Sequence, residues 1–129
     1  MRKSILTIED SKALNSVFNT IFKKEFEVAS VSNHFQAYQH LQANLFSDLI
    51  IIDIEDCDSD NFQFLKHSCT SSLFCNIPKV VISNSTDANL KKETLNLGAT
   101  FFLSMPFDPI MLNKKVKEII FEKDKIFQN

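Results

Sequence analysis

The fold class this sequence predicts is α/β: a doubly wound, five-stranded parallel sheet in the order 2-1-3-4-5 with five helices. Three observations predict it. Leu49, Ile50, Ile51 and Ile52 form a short apolar run between Asp48 and Asp53, the pattern of a strand buried on both faces. Strand-like runs then alternate with helical periodicity along the chain. Finally, Ser4 to Ile8 also runs into acids, Glu9 and Asp10, as the central run does into Asp53. In open parallel sheets ligands bind beyond the carboxyl ends of the strands, where the order 2-1-3-4-5 sets the first and third side by side.

The elements follow in order. After Asp10, the residues Leu14, Val17, Phe18, Ile21 and Phe22 repeat at helical spacing, with Asp10 or Ser11 to cap the first turn. Phe26 to Val31 alternates as an edge strand. Ser32 or Asn33 caps a second helix with a stripe of Phe35, Tyr38, Leu41 and Leu45, and the central strand follows. An acidic loop, Glu55 to Asp60, precedes a third helix carrying Phe62, Leu65, Cys69 and Leu73. Pro78 opens a fourth strand, Lys79 to Ile82, ending at Ser83-Asn84-Ser85. The helix from Thr86 to Leu97 has few large apolar residues. Gly98, the only glycine, stands where that helix must stop in a left-handed turn. Thr100 to Ser104 is the fifth strand. Asp108 caps and Pro109 starts the last helix, whose stripe is Leu112, Val116, Ile119 and Ile120.

Composition narrows function. The chain has 129 residues, 44% apolar and 23% charged, which suits one globular domain over residues 1–129. A net charge of −2 gives no basic surface for nucleic acid. No apolar run approaches a membrane span, and Met1-Arg2-Lys3-Ser4 leads straight into a strand, so the expected location is the cytoplasm. Cys57, Cys69 and Cys75 have no metal or disulfide spacing and read as free thiols. Acidic neighbours make Cys57 an inert one. His34, His40 and His67 lack ligand spacing and read as structural or surface residues. The convergence of Glu9, Asp10 and Asp53 is costly unless a cation or a proton is held among them.

With these residues in place, the chain resembles the receiver domain of bacterial two-component response regulators over nearly its whole length. The likeness rests on Glu9-Asp10, Asp53, Ser83, Leu97-Gly98-Ala99, Phe102 and Pro106-Phe107-Asp108-Pro109 in this order. It implies a flavodoxin-like receiver fold and a signalling module rather than an enzyme. Asp53 would be the phosphoacceptor, served by a histidine kinase or a phosphotransfer protein. Mg²⁺ would be held by Asp10, Asp53 and the backbone carbonyl of Glu55, with Glu9 acting through water. Ser83 would donate to a phosphoryl oxygen. Phe102 would be the switch aromatic, acting by packing because it has no hydroxyl. Helix 4, strand 5 and helix 5 would carry the signal to a downstream protein, or form a homodimer. With nothing following Asn129, the chain would be a stand-alone regulator or a fragment of a longer one.

Three departures stand out. Met105 occupies the place of the family's lysine, Asn84 follows Ser83 where a small residue is usual, and the loop reads Asp56-Cys57 and Asp60-Asn61. A close charged pair at such a site costs roughly 2–5 kcal/mol when one partner is truncated. Mg²⁺ binding is therefore expected to outlast phosphorylation-driven switching. The competing expectation is a pseudo-receiver that docks partners without phosphorylation. Two enzymatic or cofactor classes fit less well. A dehalogenase-like phosphatase needs an aspartate where Glu55 stands, and Glu9-Asp10 would repel a flavin phosphate.

Overall fold

The computed structural model describes residues 2–44 and 47–128, without the side chains of residue 44 and of residues 123–128. Five strands and five helices alternate: β1 (Ser4–Ile8), α1 (Lys12–Phe22), β2 (Glu27–Val31), α2 (His34–Asn44), β3 (Leu49–Asp53), α3 (Asp60–Thr70), β4 (Lys79–Ser83), α4 (Ala88–Leu97), β5 (Phe101–Ser104) and α5 (Pro109–Gln128). All strand pairs are parallel and the sheet order is β2-β1-β3-β4-β5, as expected.

The pleat of β3 explains why this strand is apolar throughout. Its residues alternate between two cores. Ile50 and Ile52 join Leu6, Ile8 and Val81 beneath Leu41 of α2, Leu65 of α3 and Leu90 of α4. Leu49 and Ile51 join Ile5, Val80 and Leu103 beneath Phe18 and Phe22 of α1 and Leu112, Val116 and Ile120 of α5. Burying each such side chain stabilises the fold by about 1.5–3 kcal/mol, so a charge at Ile51 would break both packing and topology. Edge strand β2 has no fully buried position, in keeping with its alternating sequence.

The local signals act as chemistry predicts at most ends. Ser11, not Asp10, caps α1, its hydroxyl accepting from Leu14 N at 3.2 Å. Asn33 caps α2 by accepting from Gln36 N, while Gln36 Oε1 accepts from Ser32 N in return. Asp108 accepts from Ile110 N at the start of α5. Gly98 ends α4 at φ 119°, and a Cβ there would meet Cys69 Sγ at 3.2 Å.

Three expectations need correction. Phe35 is 66% exposed, because the buried line of α2 runs through Ala37 and Leu41, and a residue two positions from Ala37 faces away. Leu45, assigned to the same stripe, lies outside the described residues. Leu73 is 79% exposed, since α3 stops at Thr70 and Phe64 is buried in its place, edge-on to Tyr38. The polar fourth helix starts at Ala88 behind an Asp87 cap rather than at Thr86, and it buries Thr94 beside Leu90 while Leu95 stays partly exposed.

Candidate functional site

Register brings the acids together. Ile8 pairs with Ile52 and Asp53 pairs with Ile82, so Glu9, Asp53 and Ser83 all stand at one rim of the sheet. Each is pinned from behind. Glu9 is buried at 2% exposure; its backbone carbonyl accepts from Asn15 Nδ2 and its Oε1 accepts from Ser11 N at 3.0 Å. The carbonyl of Asp53 accepts from Asn61 Nδ2 at 2.7 Å, which ties the strand end to the first turn of α3. Ser83 is fully buried, and its Oγ accepts from Ser85 N at 3.0 Å.

The front of the site is short of donors. Glu9 Oε2 and Asp53 Oδ1 are both buried and neither meets a hydrogen-bond donor. Partial burial, then the adjacent carboxyl groups of Glu9 and Glu55, push Asp53 up to about 9. A half-buried carboxyl facing two others keeps its proton at neutral pH unless a cation replaces it. Glu55 also turns its side chain across to β4, where both carboxylate oxygens accept from Asn84 N at 3.2 Å. Sequence reasoning valued Glu55 only for its carbonyl and gave Asn84 no partner. The one available signal was the unusual residue after Ser83.

A cleft of about 510 Å³ opens in front of Asp53, lined by Asp10, Glu55 and Asp60 together with His34 and Asn61. The exposed Asp10 shares this cleft with Asp53, yet among the described residues no three His, Cys, Asp or Glu side chains are grouped so as to hold a metal ion by themselves. The acids face one another without closing into a cage. His34, read as a structural or surface residue, is a partly exposed wall of this cleft at the start of α2. The expected switch aromatic and the residue in the place of the family's lysine both belong to the β5 end of the sheet. Phe102 is buried at 8% exposure in the core shared by α2, α3 and α4. Met105 is half-buried at the end of β5, with its amide bonded to Ser83 O at 2.8 Å. Cys57 nearby is an unreactive thiol: burial pushes it up, and Glu93, Asp87, Asp58 and Asp56 add to the rise.

Five parallel strands wound 2-1-3-4-5, with acids gathered at the switch point, define the class, and the comparisons agree. The family model described as the response regulator receiver domain matches residues 5–117, and the chain belongs to that family. It is 28% identical over 127 residues to the transcriptional regulatory protein CrdR of Helicobacter pylori, a match covering 98% of this chain and 58% of that protein. It is 23% identical to the phosphate regulon transcriptional regulatory protein PhoB of Escherichia coli over 93% of this chain and 52% of PhoB. The chain thus spans about half the length of the curated relatives it matches. Among solved structures, a response regulator from Thermotoga maritima superposes with a TM-score of 0.82 at 20% identity, covering 93% of this chain and 98% of that one. The chemotaxis response regulator CheY4 of Vibrio cholerae superposes at 0.78 with 26% identity, covering 92% and 99%. The chain is a receiver domain of two-component signalling, a signalling module of the kind that works with histidine kinases and downstream effectors. Among the described residues no helix is long and apolar enough to cross a membrane.

Proposed function

We propose that Asp53 is the phosphoacceptor of this receiver and that Mg²⁺ is its cofactor. The observation that carries the reading is the pair of buried, donor-free carboxylate oxygens, Glu9 Oε2 and Asp53 Oδ1, at the rim where β1 and β3 end. Buried hard oxygens that no hydrogen-bond donor satisfies fit a hard dication, which takes the place of the proton that Asp53 otherwise keeps. A pair of carboxylates suits Mg²⁺, which keeps several waters and dehydrates reluctantly. Asp53, Asp10 and the Glu55 carbonyl would hold the ion, and Glu9 would reach it through water. When bound, it supplies positive charge that offsets the negative charge on a phosphoryl group and on these acids.

The residues themselves account for the remaining chemistry. An Asp53 carboxylate oxygen attacks phosphorus in line, forming a P–O bond as the bond to the donor group breaks and that group leaves with the electron pair. A histidine kinase or phosphotransfer protein is the donor, and the product is an acyl phosphate. The Ser83 hydroxyl donates to a phosphoryl oxygen, and the packing of Phe102, on β5, passes the change to α4. Leu95, Ile110 and Met111 are exposed on α4 and α5, offering apolar contact to a downstream protein or a second copy. We place this exchange in the cytoplasm, with 1–129 acting as one unit.

A thermal-unfolding titration with Mg²⁺, with and without beryllium fluoride as phosphoryl mimic, tests the reading. Ligand at about 100 times its Kd stabilises by about 2.7 kcal/mol. The expected result is stabilisation by Mg²⁺, a further increment with the mimic, and loss of both in Asp53→Ala. A melting temperature indifferent to both additions contradicts it.

A further inference from the structure

The Glu55 carboxylate does not simply line the cleft. Both of its oxygens accept from the backbone amide of Asn84, at 3.2 Å each. The same carboxyl group lies near enough to Asp53 to help raise its pKa. It therefore reaches the acceptor side chain at the end of β3 and the amide just past the end of β4. These two strands are neighbours, with Asp53 paired to Ile82, two residues before Asn84. The Ser85 N–H is taken by Ser83 Oγ, while the Asn84 N–H donates to the Glu55 carboxylate, so it is a backbone donor of this strand end that faces the acids. An oxyanion built on Asp53 carries oxygens needing such a donor. In this chain the donor already has an anion on it.

We propose that Glu55 is an internal anion that latches the Asn84 amide and must swing away before Asp53 can carry a phosphoryl group. This rests on the reading of Asp53 as phosphoacceptor and adds to it a residue that governs how readily the site is filled. Three features of the chain fit a latch better than a permanent strut. Glu55 and Asn84 are both exposed, so the carboxylate can move into water at little cost. Its two equal distances describe one amide shared between two oxygens, not two separate bonds. Met105, which contributes no charge, stands at the end of the neighbouring strand, so no lysine there draws Glu55 away or holds the incoming group in its stead. Opening the latch relieves the repulsion between Glu55 and Asp53 and frees the amide in one movement.

The experiment compares wild type, Glu55→Gln, Glu55→Ala and, as a control for charge alone, Asp60→Asn, which also lines the cleft but makes no bond to Asn84. Each is incubated with Mg²⁺ and acetyl phosphate. Attack by Asp53 on phosphorus expels acetate with its electron pair, and the phosphoryl gain is followed by intact mass. Losing one competing charged hydrogen bond is expected to raise the initial rate about three- to tenfold in Glu55→Ala, somewhat less in Glu55→Gln, and less than about twofold in Asp60→Asn. Hydrogen exchange at the Asn84 amide, read by NMR, is expected to be slower in wild type than in Glu55→Ala. Equal rates in wild type and both Glu55 variants overturn the latch while leaving the phosphoacceptor intact. An equal gain in Asp60→Asn reduces the effect to charge and also overturns it. So does unchanged exchange at Asn84. Absence of phosphoryl gain in every protein removes the phosphoacceptor reading itself, and the latch with it.

Discussion

Glu9 and Asp53, residues that follow the paired Ile8 and Ile52 on adjacent parallel strands, each present a buried carboxylate oxygen that no donor reaches. Two such groups cannot both ionise in contact without help, which is why burial and the Glu9 and Glu55 carboxyls raise Asp53 to about 9. Their closeness is a liability to the fold and an asset to a cation.

A pH dependence follows with a definite sign. The folded state holds the Asp53 proton more tightly than the unfolded chain, whose carboxyl titrates near 3.8. The contribution to stability is therefore complete below about pH 4 and is lost as pH rises toward about 9. In metal-free protein, the melting temperature should fall across this window more steeply in wild type than in Asp53→Asn. At pH 8 the variant should be the more stable by about 1–2 kcal/mol, less than the full shift implies because water screens a half-buried carboxyl. Scanning calorimetry from pH 5 to 9 checks it; parallel curves would contradict it.

The same proton competes with Mg²⁺. A carboxyl must be ionised to hold the metal, so affinity should rise by about tenfold for each pH unit well below 9 and level off above it. Isothermal titration calorimetry at a series of pH values in buffers of differing protonation heat should also show protons released on binding. A pH-independent affinity with no proton release would mean that the metal sits elsewhere.

Met105 sets a third expectation. Its amide holds β5 against Ser83 O, while its half-buried thioether brings no charge to the rim. Met105→Lys should add a cation beside the phosphoryl position and tighten beryllium fluoride binding in Mg²⁺ by about tenfold. That is less than the roughly 2–5 kcal/mol seen on truncating established charged pairs. Met105→Leu should leave it unchanged. Equal affinities in all three proteins would show that this position does not face the site.

Gly98 tests the fold rather than the chemistry. At φ 119°, with Cys69 Sγ 3.2 Å from where a Cβ would stand, Gly98→Ala should cost about 1–3 kcal/mol in urea denaturation. Adding Cys69→Ala should relieve the contact but not the backbone strain, so only part of the loss returns.

Much of this was legible in the residues because local and long-range signals agreed. The run at 49–52 is apolar at every position, which only a strand covered on both faces requires, and that fixes helices on two sides. Gly98 and the hydroxyl, amide and carboxylate caps mark helix ends by chemistry that does not depend on the rest of the fold. Phe35 and Leu73 were misplaced because an apolar residue near a helix end satisfies a spacing rule whether or not the helix turns it inward. At the rim, the acids that end strands could be read in advance, since strand ends must meet there. The Glu55–Asn84 bond could not. It depends on where one flexible side chain lies between two loops, and no periodicity records that. The walls contributed by His34 and Asn61 were hidden for the same reason.

The most direct measurement is intact mass after incubation with acetyl phosphate and Mg²⁺, with the modified position found by peptide mapping. The account predicts one phosphoryl group on Asp53, absent when Mg²⁺ is chelated and absent in Asp53→Asn. Unmodified wild-type protein, or a gain that persists in Asp53→Asn, would contradict it.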